Sequence, residues 1–173
     1  MKNYIKAVLY GYPLLKNVGE DYQAHIQNKA VLSSRTDKSA FELAGEIAKE
    51  ICEKQDLEWL KACVEKALEM LTDVERTLIG VRYFGKRRKI KKFPFQNGGQ
   101  AQLEIATWSE RKYFRFQNRL SEKISVLLNR LGLTEETFES RFAKTDIFNK
   151  IYRFVCEGKD RKLAQRAQRW ICG

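Results

Sequence analysis

WSERKYFRFQNRLSEKISVLLNRL, residues 108–131, decides how this chain folds and where its chemistry lies. At about 100° per residue, the period of a helix, Tyr113, Phe116, Leu120, Ile124, Leu127 and Leu131 fall on one side, and Arg111, Arg115, Asn118 and Glu122 on the other. The apolar side must bury against neighbours. The opposite side, over its N-terminal half, carries Arg111, Lys112, Arg115, Asn118 and Arg119 with no acid among them. Those are the residue types that reach phosphates and base edges. A helix with two occupations is predicted, one face in a core and the other on a polyanion.

The surroundings of this stretch strengthen the reading. Residues 1–75 hold 10 Lys+Arg against 13 Asp+Glu, net −3, whereas residues 76–173 hold 23 against 9, net +14. The basic half attracts a polyanion by counterion release. Just upstream, Lys86, Arg87, Arg88, Lys89, Lys91 and Lys92 supply six positive charges without an acid, a candidate phosphate-contacting run. Between that run and Trp108, Asn97-Gly98-Gly99 is a turn signal. Flanking alternation through Phe93, Phe95, Leu103 and Ile105 suits a short β-hairpin, and Leu103–Thr107 suits a short helix equally.

Further upstream, Thr72-Asp73-Val74-Glu75 is a capping box that starts a helix, with Val74, Leu78, Val81 and Phe84 inward and an end near Gly85. Residues 3–16 show helical spacing that Pro13 ends or kinks. A weaker stripe follows to Leu32, and the polar loop Ser33–Lys38 is a candidate hinge. Residues 39–54 form an amphipathic helix with Phe41, Ala44, Ile47, Ala48 and Ile51 inside, and 56–71 continue with Leu57, Leu60, Val64, Ala67, Leu68 and Leu71, separately or after a bend near Gln55. Downstream, Gly132 punctuates, Leu133 and Phe138 suit a hydrophobic staple, and Thr134 caps a helix. Amphipathic segments near 145–157 and 159–171 close the chain.

With two prolines, ten glycines and 43% apolar content, the chain is expected to be folded and mainly α. The expected organisation is a helical scaffold or dimerisation region at 1–71, a DNA-binding region at 72–131 and a C-terminal helical extension at 132–173. Cys52, Cys63, Cys156 and Cys172 form no C-x-x-C pair, and Cys52 and Cys63 read as small core residues in a reducing cytosol. No run of about 18 apolar residues occurs, so a cytoplasmic protein that does not span a membrane is expected.

Gly80–Arg87, GVRYFGKR, falls one residue short of a P-loop, lacking the Ser or Thr after the lysine, and sits on a helix instead of following a strand. His25 with Asp21 is a surface pair, and Glu135 with Glu136 suits a helix N-terminus. No enzyme site, metal or cofactor is expected.

The stretch ALEMLTDVERTLIGVRYF followed by SERKYFRFQNRLSEKI resembles region 4 of bacterial RNA polymerase sigma factors, especially the short phage-type regulators that join N-terminal helices to a region 4-like module. Leu71, Glu75, Arg76, Arg82, Tyr83 and Phe84 match the helix that precedes the family's helix-turn-helix, and Ser109, Arg111, Arg115, Arg119, Leu120 and Lys123 match its recognition helix. The likeness spans roughly residues 67–128. It departs where the family has E-I-A-x-x-L-G-h-S. This chain has Glu104-Ile105-Ala106-Thr107-Trp108-Ser109 after a Lys-rich insertion, with Trp108 in the packing role of the missing turn.

The resemblance implies a mainly α fold, helical N-terminal segments followed by a helix-turn-helix with a basic insertion and C-terminal helices. It further implies a sequence-specific transcription regulator that places helix 109–130 in the major groove of double-stranded DNA. Arg111, Phe114, Arg115 and Asn118 are the base-contact candidates. Arg87, Arg88, Lys89, Lys91, Lys92, Ser109, Lys112 and Arg119 are the phosphate-contact candidates. RNA polymerase is an implied partner and a homodimer is compatible. The alternative is a non-enzymatic adaptor that docks polymerase or another acidic protein.

Overall fold

A computed structural model describes residues 1–31, 39–84 and 98–158. Among these, eight α-helices and one 3-10 turn account for the regular structure, in the order α1 (Asn3–Gly11), the 3-10 turn Tyr12–Leu14, α2 (Leu15–Val31), α3 (Ala40–Glu69), α4 (Asp73–Tyr83), α5 (Gly98–Ala106), α6 (Glu110–Arg130), α7 (Glu135–Arg141) and α8 (Asp146–Cys156). The chain is mainly α, and among the described residues no helix is long and apolar enough to cross a membrane.

α1 is the centre of the core. Tyr4, Ile5 and the whole run from Ala7 to Gly11 are buried, and a helix apolar on every side must be surrounded. α8 runs antiparallel along it, with Cys156 beside Asn3 at one end and Phe148 against Gly11 at the other. Pro13 sits in the 3-10 turn at a position where its missing N–H costs nothing.

Local signals set the other boundaries. Thr72 accepts from the Glu75 N–H while the Glu75 carboxylate accepts from the Thr72 N–H at 2.8 Å, completing the capping box of α4. α6 ends on Gly132 at φ +87°. There the Leu133 N–H bonds to Leu128 O and the Gly132 N–H to Asn129 O, the paired bonds of a Schellman ending. Leu133 and Phe138 flank the Thr134 cap of α7, both fully buried, as a staple requires. Phe138 is also a hub of rings, 5.9 Å from Tyr4, 5.7 Å from Phe148 and 5.5 Å from Tyr152 between centroids.

One hydrophobic core joins side chains from α1, α3, α4, α6, α7 and α8, so residues from all three sequence segments meet in it. α3 is a single helix of 30 residues with no break at Gln55, about 45 Å long. Its C-terminal half delivers Leu57, Leu60, Val64, Ala67 and Leu68 to the core.

The N-terminal half of α3 inverts the expectation. Phe41, Ala44, Ala48 and Ile51, read as an inner stripe, are exposed, Phe41 at 88%. The polar side faces α2 instead. Lys29 pairs with Glu46 and Glu50 at 3.2 and 2.8 Å, Tyr22 donates to Glu53 at 2.9 Å, and Lys54 donates to Gln23 at 2.7 Å. Burial, then the Glu53 carboxylate, pushes the Tyr22 phenol up to about 12. Periodicity locates a stripe but does not say whether a neighbour exists to cover it, and α2 carries few apolar residues with which to do so. Cys52 shares that exposed side and is no core residue, while Cys63 is buried as expected.

The hairpin alternative near Asn97 is also corrected. Gly98–Ala106 is helical, with Ala101 buried and Leu103 71% exposed. The candidate hinge Ser33–Lys38, the basic run 86–92 with Phe93 and Phe95, and the segment 159–171 lie outside the described residues.

Candidate nucleic-acid interface

Three turns of α6 tie it to the rest of the molecule. Arg82 of α4 donates to Gln117 Oε1, and Gln117 Nε2 donates in turn to the Tyr113 hydroxyl at 2.7 Å. Lys123 pairs with Glu75 at 2.7 Å. Near the C-terminal end, the Tyr4 hydroxyl of α1 donates to Asn129 at 2.8 Å. Between these polar ties Leu120, Ile124 and Leu128 are buried. α6 is held along one side, and the residues of the other side are exposed.

α5 and α6 are joined by three residues, Thr107 to Ser109. The turn closes through Trp108 N–H to Ile105 O at 3.1 Å and Thr107 Oγ1 to Glu104 O at 2.7 Å. Ser109 then caps α6 by accepting from the Lys112 N–H at 3.3 Å. Trp108 fills the angle between the helices, its ring 4.8 Å from that of Phe116 and packed against the core. Its Nε1 is buried without an acceptor among the described residues.

The exposed side carries the residues named from the sequence. Arg111, Lys112, Phe114, Arg115, Asn118 and Arg119 are all exposed, Phe114 at 54%. Arg111, Phe114, Arg115 and Asn118 lie on one stripe by helical spacing. Arg119 and Lys112 flank it, and Lys112 Nζ lies 4.6 Å from the Trp108 ring centroid, a cation–π contact. Glu122 closes the stripe one turn beyond Asn118 and Glu110 precedes it, so the cationic surface is limited to about two and a half turns of helix.

The charge state of this surface contrasts with the hairpin of α2 and α3. There Lys16, Lys29, Lys49, Lys54 and Lys61 each sit within 4.0 Å of a glutamate. Arg111, Lys112, Arg115 and Arg119 have no ion pair among the described residues. Four like charges within nine residues of one helix repel each other, a cost that an anionic ligand removes.

Sequence reasoning missed Gln117, one of two buried polar or charged residues among those described, and its pairing with Arg82. The signal was present: position 117 lies four residues after Tyr113 and three before Leu120, inside the buried stripe. Among the described residues no group of three or more His, Cys, Asp or Glu side chains can hold a metal ion. His25 is an exposed residue of α2. No protein-family model, curated protein or solved structure matches the chain.

Proposed function

We propose that this protein is a sequence-specific DNA-binding transcription regulator of the sigma region 4-like kind, in which α5, the turn at 107–109 and α6 act as a helix-turn-helix. The observation that carries the reading is the exposed cationic stripe of α6, without an ion pair among the described residues. A capped helix N-terminus, cations without acid partners and an exposed aromatic ring on one stripe are what a major-groove helix requires.

In this reading α6 enters the groove N-terminus first. Arg111 and Arg115 address guanine, Asn118 addresses adenine, and Phe114 meets a thymine methyl, each polar pair giving about 1–3 kcal/mol of discrimination. Ser109, Lys112, Arg119 and the run Arg87, Arg88, Lys89, Lys91 and Lys92 hold phosphates and give affinity without sequence information. Gln117, Lys123 and Asn129 fix the roll of α6 on the scaffold, which decides the bases its outer stripe reaches.

Selecting bound duplexes from a random DNA pool tests the proposal. Enrichment of a common sequence is the expected result. Retention of duplexes without enrichment would show nonspecific binding only. Tight binding to a purified polymerase subunit with no DNA binding at low salt would favour the adaptor reading, since an exposed cationic stripe also suits an acidic protein surface.

A further inference from the structure

Trp108 and Lys112 meet at the start of α6, where the local rules of helix capping call for a different residue. In α3 and α4 the N-cap hydroxyl is answered three positions on by a glutamate, Ser39 by Glu42 and Thr72 by Glu75. α6 opens in the same way on Ser109, but its third position is Lys112. A lysine there cannot close a capping box, and its charge opposes the helix dipole. A residue that breaks a local rule in an otherwise well-capped helix points to a role outside the fold.

The way Lys112 is held agrees. Its Nζ lies 4.6 Å from the centroid of the Trp108 ring. Lys2 over Tyr4, Arg82 over Tyr83 and Arg141 over Trp59 each have a second partner, in Glu135, Gln117 and Asp56, whereas Lys112 has no ion pair among the described residues. An aromatic face attracts an ammonium without neutralising it, which a carboxylate would do. The platform is itself fixed: the Trp108 ring lies 4.8 Å from that of Phe116, and its backbone N–H bonds to Ile105 O. With Nε1 buried, the ring face is what Trp108 offers.

We propose that Trp108 is a positioning residue for DNA-backbone binding, its ring presetting the Lys112 ammonium to meet one phosphate. The inference rests on the DNA reading above. A lysine gives up rotamer freedom when it grips an anion. One already laid over a ring has less to give up, and its charge and N–H donors stay available. Since a phosphate carries no sequence information, the pair strengthens binding to every duplex alike, in contrast to Arg111 and Arg115.

A double-variant cycle on the full chain tests this, reading affinity for a selected and a scrambled duplex against salt, with far-ultraviolet circular dichroism on the same samples. Lys112→Gln should weaken both duplexes alike and reduce the salt slope by about 1. With Lys112 present, Trp108→Leu should weaken both duplexes about threefold to tenfold, and Trp108→Phe by less, because indole attracts a cation best. In the Lys112→Gln background neither change at position 108 should weaken binding further. If Trp108→Leu loses helicity, Trp108→Phe carries the same comparison, since it keeps a ring on Phe116. A loss that persists in full without Lys112 shows that Trp108 acts through packing and overturns the proposal, as does wild-type affinity in both Trp108 variants. Either result leaves the DNA reading standing. A wild type that retains no duplex at low salt overturns both.

Discussion

Glu75 does two jobs at once: its carboxylate closes the capping box of α4 and pairs with Lys123 of α6 at 2.7 Å. One of the links between the scaffold and the proposed recognition helix therefore runs through a helix cap. Glu75→Ala should cost about 1–2 kcal/mol, the loss of a cap plus a partly exposed ion pair, measured by urea denaturation. A change below a few tenths would mean that the pair is not formed in solution.

The same residue makes stability depend on acid. Burial works to raise the Glu75 carboxyl, but the Lys123 ammonium and the Thr72 hydrogen bonds outweigh it and hold the group below its ordinary value of 4.5. The unfolded chain regains the ordinary value. The stabilisation is therefore complete above pH 4.5 and is lost as pH falls through the lower folded value. Denaturation of wild type and Glu75→Gln across the acid range should show a shallower loss of stability in the variant.

Gly11 and Phe148 fit against each other so closely that a Cβ at position 11 would lie 2.6 Å from the ring. Phe148 is fully buried and has no free direction in which to move. Gly11→Ala should destabilise by about 1–3 kcal/mol through overpacking, against the stabilising trend of Gly→Ala within a helix. Thermal unfolding of the variant checks the sign.

Trp108 separates packing from hydrogen bonding. Its ring packs on Phe116 while its Nε1 lacks an acceptor among the described residues. Trp108→Phe keeps an aromatic ring and removes the enclosed donor, so its stability should stay within about 1 kcal/mol of wild type. Trp108→Ala should lose about 2–4 kcal/mol. Equal losses in the two variants would place the indole N–H in a bond.

Features fixed within a few residues were legible from sequence. The Thr72–Glu75 box, the Thr134 cap and the Leu133–Phe138 staple each depend on side chains three to five positions apart, and all three form. So does the exposed cationic stripe of α6, because its spacing is a property of one helix.

Relations between elements were not legible. Phe41, Ala44, Ala48 and Ile51 have the period of a buried face, but the polar side of α3 won the contact with α2 through Lys29 and Tyr22. Gly98 and Gly99 suggested a turn, yet they open α5, where Ala101 is buried and α4 supplies the packing surface. Gln117 drew no reading from the sequence, because its partner Arg82 stands on another helix.

The most direct test of the central claim is affinity for a selected duplex and for a scrambled one, measured against salt for wild type, Arg115→Ala and Lys91→Ala. The account predicts a steep fall of affinity with salt. Lys91→Ala should weaken both duplexes alike and reduce the salt slope by about 1, while Arg115→Ala should cost about 1–3 kcal/mol on the selected duplex and narrow the gap between the two. If both variants bind both duplexes as the wild type does at physiological salt, α6 does not read DNA.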